Sequence, residues 1–545
     1  MKVLGPFLEK RIAKKIVINF DDLNQEINDM GDYIITKDED NKLKFVINKV
    51  CDHAGGRLIV RDDKAICPLH NWHLNLDDLK YDKVNVCKKQ ANYKLFDSKI
   101  EIDDSTSALH NSYKADVKGD IKLRWINHAC IHIEVNGKTL ITDPWLMGTA
   151  FLTGWWLQTP SPEDAISLLK SADFIYISHN HTDHLHEETL SHLPKDKEII
   201  TANFESNSSR KSLESLGFSN IVTPNFNTIM ELSNGLQISI LRAGDFRDDS
   251  GIYICANGHE IVLTVDSNAL NNFVLPQKVD LLMSSFAGGA SGFPLNYDIF
   301  SQSEKDKISL KHRKALLSLV DKYFNVTNPK YYMPYAGMFN ESAQRDHYIK
   351  SNNPKNTIQD LGKLAKKRKV DFLKPNMNAI YKLSSDGLYI EPCQHGKLLS
   401  ASPECYIKQL KTNYKLDIQL VIDYFNGCEF TANQIVQIIP CDDDYIPILD
   451  LAFYLDFSSS YFGVITIDEV IACKSDFNVM TLRVREEVLM KVVTDYLPWE
   501  DFTIGFQMRA VRSPNEYESD FWLYFTNVYI GKEQKNKILA ISVIS

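Results

Sequence analysis

The chain has 545 residues, 44% hydrophobic and 24% charged, with a formal net charge of −10 at pH 7. At ~100–200 residues per domain this length predicts three or four cores rather than one. The acidic balance excludes nucleic acid as the main partner, since neutralising phosphates takes clustered Lys and Arg, and no run reaches the ~20 apolar residues of a membrane-spanning helix. The Lys-rich stretch Lys363 to Lys369 is short and reads as a solvated helix face.

The first fifteen residues carry charges inside any apolar stretch and do not read as a secretory leader. The first expected unit, residues 1–112, alternates short strand-like runs with turns, for example Lys44–Asn48 and Arg57–Arg61. Between and after these runs lie Cys51-x-His53 and Cys67-x-x-His70, with Gly55-Gly56 and Pro68 supplying close-turning backbone. Two thiolates and two imidazoles interleaved in this way are the ligand set of a Rieske 2Fe–2S centre, in which Cys binds one iron and His the other. Such centres work at roughly −150 to +300 mV. A zinc site is the alternative, although structural zinc sites usually pair like ligands within each half. The other eight cysteines show no framework spacing, which points to reduced thiols and a cytoplasmic location. The polar segment Asp103–Tyr113 reads as a linker.

The second expected unit, residues 113–388, opens with two strands joined by Asn136-Gly137, a strong two-residue hairpin signal. A helix is expected over Pro162–Ser171. The apolar strand Phe174–Ser178 then empties into His179-x-His181-x-Asp183-His184. A strand ending in a tight loop can aim several side chains at one point, and His with carboxylate suits zinc or non-haem iron. Strand–helix alternation continues to about residue 385, a layered α/β pattern. The third unit, residues 389–545, mixes helix-like and strand-like patterns around an acidic turn at Asp442–Asp444.

The His/Asp motif, the preceding hairpin and Asp143-Pro144 resemble the metallo-β-lactamase superfamily, which implies an αββα sandwich for the central unit. The resemblance also implies a distant His and a bridging Asp from later strands. Asp266, ending the strand Ile261–Val265, takes the bridging position. No His stands at the distant one: Asp245 is the nearest ligand-type residue after Leu236–Leu241, and His259 falls in a turn that reads as surface. Two metal sets remain open, His179–His181–Asp245, of the two-His, one-carboxylate kind, and one using Asp183, His184 and Asp266.

Zinc is redox-silent, whereas a Rieske centre delivers single electrons, so the two sites together favour a mononuclear non-haem iron that activates O2. Blocks along nearly the whole chain resemble the CMP-N-acetylneuraminate hydroxylase family. They include Cys67-Pro-Leu-His70-Asn-Trp72, Asp143-Pro-Trp-Leu-Met-Gly148, Gly154-Trp-Trp156, Phe286–Pro294, Pro334-Tyr-Ala-Gly337 and Ile504-Gly-Phe-Gln507-x-Arg509. The resemblance implies an N-terminal all-β Rieske domain, a central αββα catalytic domain and a C-terminal α+β domain. It implies a monooxygenase hydroxylating an N-acyl group of a nucleotide-activated sugar. Electrons would come from NAD(P)H through a separate reductase and a carrier, a b-type cytochrome or ferredoxin, since no GxGxxG opening marks a nucleotide site in the chain. An unrelated amine or amide as substrate, and a zinc hydrolase with a redox-sensing Rieske domain, are the competing readings. Trp145, Trp155 and Trp156 are candidates to line a sugar or base pocket, and Gly288, Gly289 and Ser291 to approach a phosphate; core aromatics and a structural turn are the alternatives.

Overall fold

The computed structural model describes residues 1–52, 57–67, 72–82, 86–245, 247–471 and 478–530. His53 and His70, with Gly55, Gly56 and Pro68, lie outside the described residues.

The centre of the molecule is a pair of eight-stranded sheets. One runs, in spatial order, from Ile221–Val222 through Ile199–Thr201, Phe174–Ile177, Lys138–Thr142, Cys130–Val135, Ile121–Asn127 and Ala379–Ser384 to Gly387–Pro392. The other runs from Lys2–Pro6 through Thr228–Ser233, Leu236–Arg242, Ser250–Ala256, His259–Leu263, Leu281–Ser284 and Tyr331–Pro334 to Asp371–Phe372. Their facing side chains form one continuous core, including Leu123, Ile131, Ile133, Ile238, Ile252, Ile254 and Val262. Strands buried on both faces read as near-continuous apolar runs, as Ile261–Leu263 does.

Helices cover the outer faces. Ala165–Ser171 and Ser208–Ser215 close a second core over the first sheet, with Leu169, Leu213, Ile175 and Ile199 inside it. Gln302–Thr327 and Ile358–Arg368 cover the second sheet through Val320, Tyr323, Phe324, Leu361 and Ala365. Both of these helices start with a capping box, Ser301 with Glu304 and Thr357 with Asp360. The lysines between 363 and 369 face outward, as expected.

The N-terminal region consists of small antiparallel sheets around two apolar clusters. One cluster contains Cys51, Cys67, Trp72, Leu74 and Tyr81. Its first strand leaves the unit: Lys2–Pro6 pairs antiparallel with Thr228–Ser233 at the edge of the central sheet. The segment expected to be a linker also differs, because Thr106–His110 is a strand paired with Leu8–Ile12. Ala108 and Leu109 are its only buried hydrophobic residues, too short an apolar run to mark a strand in the sequence. At the other end, Gly387–Pro392 carries the central sheet past residue 388.

The C-terminal region is a five-stranded mixed sheet, ordered Tyr461–Ile465, Ala452–Asp456, Ile435–Cys441, Val479–Arg485 and Met508–Ser513. Helices Ile418–Asn426 and Glu486–Asp495 pack on it through Val421, Phe425, Val488 and Val492. It docks on the centre through Trp155, whose indole donates to the Ile504 carbonyl at 3.0 Å. The buried Arg485 reinforces the joint by donating to Asp346 at 2.7 Å. Among the described residues, no helix is long and apolar enough to cross a membrane.

Candidate metal centre

The strand Phe174–Ile177 runs parallel to Lys138–Thr142, so both end at the same rim of the sandwich. Asp143 follows the second strand and fixes the start of the motif, accepting the Ser178 N–H at 2.7 Å. The motif then coils: the N–H groups of His184 and Leu185 both donate to the His181 carbonyl, at 3.0 and 2.8 Å. Thr182 holds the neighbouring loop by accepting the Phe151 N–H at 2.7 Å.

This coil gathers buried imidazoles and carboxylates. His179 Nε2 and His181 Nδ1 stand 2.9 Å apart. His184 Nε2 is 3.3 Å from both Asp183 and Asp266, and its Nδ1 is 3.3 Å from Asp143. From across the sheet His128, in the turn between Ile121–Asn127 and Cys130–Val135, brings Nε2 to 3.0 Å from Asp183. Two groups have ligand atoms close enough to share one ion: His128, Asp183 and His184, and His179, His184 and Asp266. His128, Asp143 and Val265 all have positive φ, at 41°, 37° and 51°. For a β-branched Val next to Asp266 this is a strained conformation, of the kind that collects at functional sites.

The charges show what the centre lacks. Burial alone would lower the His184 pKa, but Asp183, Asp143 and Asp266 raise it well above the ordinary value. Burial would raise Asp183, yet His184 and His128 hold it well below the carboxylate range. His179 is pushed down by burial and by its two neighbouring imidazoles. Buried atoms without a hydrogen-bond partner converge here: His128 Nδ1, Asp143 Oδ2 and Asp183 Oδ1. Imidazole nitrogens facing each other at hydrogen-bond distance need a proton or a cation between them. A divalent ion among the facing imidazoles and carboxylates would balance them, so the donor set fits a metal.

The structure does not bring Asp245 to the histidines. Its carboxylate accepts from Arg247 Nε at 3.0 Å and from Asn268 Nδ2 at 3.1 Å. The expected His179–His181–Asp245 set is corrected on that ground: a guanidinium two residues on takes the carboxylate first. The same Arg247 lies 3.5 Å from Asp249, whose own carboxylate is 3.6 Å from His179 Nδ1. Burial raises the Asp249 pKa to about 7 against the pull of Arg247. His259 is also corrected. It is buried rather than on the surface, with Nε2 at 2.9 Å from the Gly119 carbonyl, and joins no candidate metal group among the described residues.

Sequence reasoning missed four residues near the centre: His128, Asp249, Glu500 and Asp501. Glu500 comes from the short helix Glu500–Ile504 and sets Oε2 at 3.3 Å from His181 Nε2. Burial would lower the His181 pKa, but Glu500 raises it. Asp501 is fully buried, and burial lifts its pKa to about 8. Asn180, His181, Arg247, Asp249, Glu500 and Asn527 line a small cleft at this place. The only sequence sign of Glu500 was its nearness to the Ile504–Arg509 block.

Of the aromatic candidates, Trp145 and Trp155 pack beside His128, whereas Gly288 and Gly289 lie in a turn against Arg313 and Asn353. Trp145 is fully buried with its ring edge-on to His128. Trp155 stacks on Phe339 at 3.5 Å, and Trp156 donates to the Thr153 carbonyl at 3.0 Å. Gly288 and Gly289 have φ of 68° and 67°, and a side chain at Gly289 would strike Asn353. Ser291 Oγ accepts the Phe293 N–H at 3.2 Å.

In the N-terminal region Cys51 and Cys67 are both buried in one apolar cluster, at 1% and 0% exposure. Two thiols sunk together under a shell of Trp72, Leu74 and Tyr81 fit a cluster site shielded from solvent.

Comparison with known proteins bears on the whole chain. Residues 122–245 match the beta-lactamase superfamily domain. Over 533 residues the chain is 31% identical to cytidine monophosphate-N-acetylneuraminic acid hydroxylase of Danio rerio, covering 90% of this chain and 88% of that one. The protein of the same name from Macaca mulatta is 31% identical over 541 residues, covering 91% and 88%. That from Mus musculus is 31% identical over 538 residues, covering 91% and 90%.

Proposed function

The chain belongs to the cytidine monophosphate-N-acetylneuraminic acid hydroxylase family, and on that premise we propose that it hydroxylates the N-acetyl methyl of CMP-N-acetylneuraminate to give CMP-N-glycolylneuraminate. The carrying observation is identity spread over 90% of the chain and 88% of the relative, far beyond the central domain alone. The reaction balances as one C–H bond, dioxygen, two electrons and two protons giving C–OH and water.

Cys51, His53, Cys67 and His70 would hold a Rieske 2Fe–2S cluster, and His179, His181, Asp183, His184 and Asp266, with His128, would hold non-haem iron. These groups would supply single-electron transfer and activation of dioxygen. The residues themselves do the positioning. Asp143 grips the Ser178 amide with one oxygen and faces His184 with the other, which turns the second imidazole nitrogen toward Asp183 and Asp266. Glu500 faces the outer nitrogen of His181 and leaves the inner one beside His179. A carboxylate behind a ligand imidazole fixes its tautomer and makes it a better donor. Trp145, Phe151 and Trp155, all buried around the centre, keep bulk water out.

Electrons would reach the chain from NAD(P)H through a separate reductase and a carrier, a b-type cytochrome or ferredoxin. We assign the reaction to the cytoplasm, where the substrate would be met in its nucleotide-activated form. The test is the full chain incubated with CMP-N-acetylneuraminate, NADH and a reductase–carrier pair, with products read by mass spectrometry and metals by elemental analysis. A product heavier by one oxygen, made by iron-loaded protein, is the expected result. Cleavage of the substrate by zinc-loaded protein, without oxygen consumption, would replace the hydroxylase with a hydrolase.

A further inference from the structure

A cluster and a metal centre in different parts of one chain need a connection, and the described residues contain one candidate at their junction. Tyr517 packs against the apolar cluster that holds Cys51 and Cys67. The same residue packs against the C-terminal core. Its hydroxyl donates to Glu500 Oε1 at 3.3 Å, while Glu500 Oε2 stands 3.3 Å from His181 Nε2. Next to it, Glu516 lies within electrostatic reach of Lys64, on the N-terminal strand Lys64–Ile66, although Asp82 is that lysine's main partner.

We propose that Tyr517 and Glu500 form the electronic bridge between the cysteine-bearing domain and the metal centre, with Tyr517 Oη–Glu500–His181 as its hydrogen-bonded core. This rests on the hydroxylase reading above. Three features set the bridge apart from an ordinary buried ion pair. Glu500 uses both oxygens, one toward each partner, so it is a two-ended connector. Its backbone is fixed as well, since its N–H donates to Thr526 Oγ1 at 3.0 Å. The atom it meets on His181 is the outer nitrogen, while the inner one is 2.9 Å from His179, so the imidazole lies between the bridge and the centre. The C-terminal region therefore does more than brace the sandwich.

Each passage would carry one electron from a reduced cluster held by the N-terminal cysteines to iron at the metal centre, oxidising the one and reducing the other, with Glu500 and Tyr517 joining the two sites. Two passages meet the need of one hydroxylation, and the external reductase, drawing on reduced pyridine nucleotide, refills the cluster. Tyr517 and Glu500 are unchanged at the end. They act through His181 and are positioning residues for this transfer.

The experiment mixes pre-reduced full-length holoprotein, with CMP-N-acetylneuraminate bound, with oxygenated buffer and follows cluster reoxidation by its visible absorbance. Wild type, Tyr517→Phe and Glu500→Gln are compared, with iron content and the cluster EPR spectrum recorded for each. Glu500→Gln should slow reoxidation by about tenfold or more, the usual cost of removing a carboxylate behind a ligand imidazole. Tyr517→Phe removes one hydrogen bond and should slow it by about threefold. Iron content should stay as in wild type in Tyr517→Phe, rates for Glu500→Gln are taken per iron bound, and the cluster EPR spectrum should stay as in wild type in both. Wild-type reoxidation rates in both variants would overturn the bridge. Lost iron in Glu500→Gln together with a wild-type rate in Tyr517→Phe would also overturn it, by assigning the carboxylate to the metal alone. If wild type shows no Rieske spectrum, the functional reading fails and the bridge with it; if wild type turns over normally, only the bridge is at stake.

Discussion

Two acidic clusters flank the His179–His184 loop, and they are satisfied in opposite ways. On one side Asp143, Asp183 and Asp266 face His128 and His184, with several polar atoms left unpartnered. On the other, Asp245 and Asp249 share Arg247. A guanidinium is charged at every relevant pH and occupies its carboxylates whether or not a metal is present. An imidazole carries no such obligation, so the first cluster is left open to a cation. Carboxylates near a ligand loop are therefore candidates only when no permanent cation reaches them first. His184 and His186 make the same point within three residues. Both are buried, but acids raise His184, while burial lowers His186 to about 4 with the Thr149 carbonyl only partly offsetting it.

The largest expected effect tests the open cluster. Asp183→Asn keeps the shape and removes the charge facing His128 and His184, so bound iron and hydroxylation should both be lost, turnover by about a thousandfold or more. Elemental analysis and product assay read this directly; retained iron would place the metal on the other side.

The pH dependence of His186 comes next. Its folded pKa lies near 4 and its unfolded value near 6.5, so the unfolded chain takes up the proton first as pH falls. Stability from this group is complete above pH 6.5 and declines between 6.5 and 4, by about 3 kcal/mol. His186→Gln should flatten that part of the difference curve in denaturant titrations run across this range.

Asp245→Ala sharpens the comparison from the other side. Leaving Arg247 with Asp249 alone should cost about 2 kcal/mol of stability, because a largely buried cation loses its nearest partner. Iron content should not change, and its loss in this variant would restore Asp245 as a ligand. The smallest effect is expected at Trp156→Phe. It removes the hydrogen bond to Thr153 and should lower stability by about 1 kcal/mol without changing KM.

What the sequence made legible follows the range of the interaction. The hairpin at Asn136-Gly137 and the strand that empties into His179 were readable because turn chemistry and apolar runs are local signals. The helix expected from Pro162 begins at Ala165, a boundary that local patterning leaves open. His128 was not legible: it stands in a turn fifty residues before the motif, and only the sheet order brings it to Asp183. Asp245 misled for the converse reason, since the sequence shows a carboxylate at the right place but not that Arg247 turns back onto it. Glu500 lies more than three hundred residues from His181, and its nearness to the Ile504–Arg509 block says nothing of a metal.

On the proposed function, the metal centre would insert one atom of dioxygen into the N-acetyl group. The most direct measurement is turnover of CMP-N-acetylneuraminate by the full chain and its reductase–carrier pair under oxygen-18 gas, with the product analysed by mass spectrometry. One labelled oxygen in the N-glycolyl group and none elsewhere is the expected result. Label absent from that group, or a product formed equally well without oxygen, would contradict it.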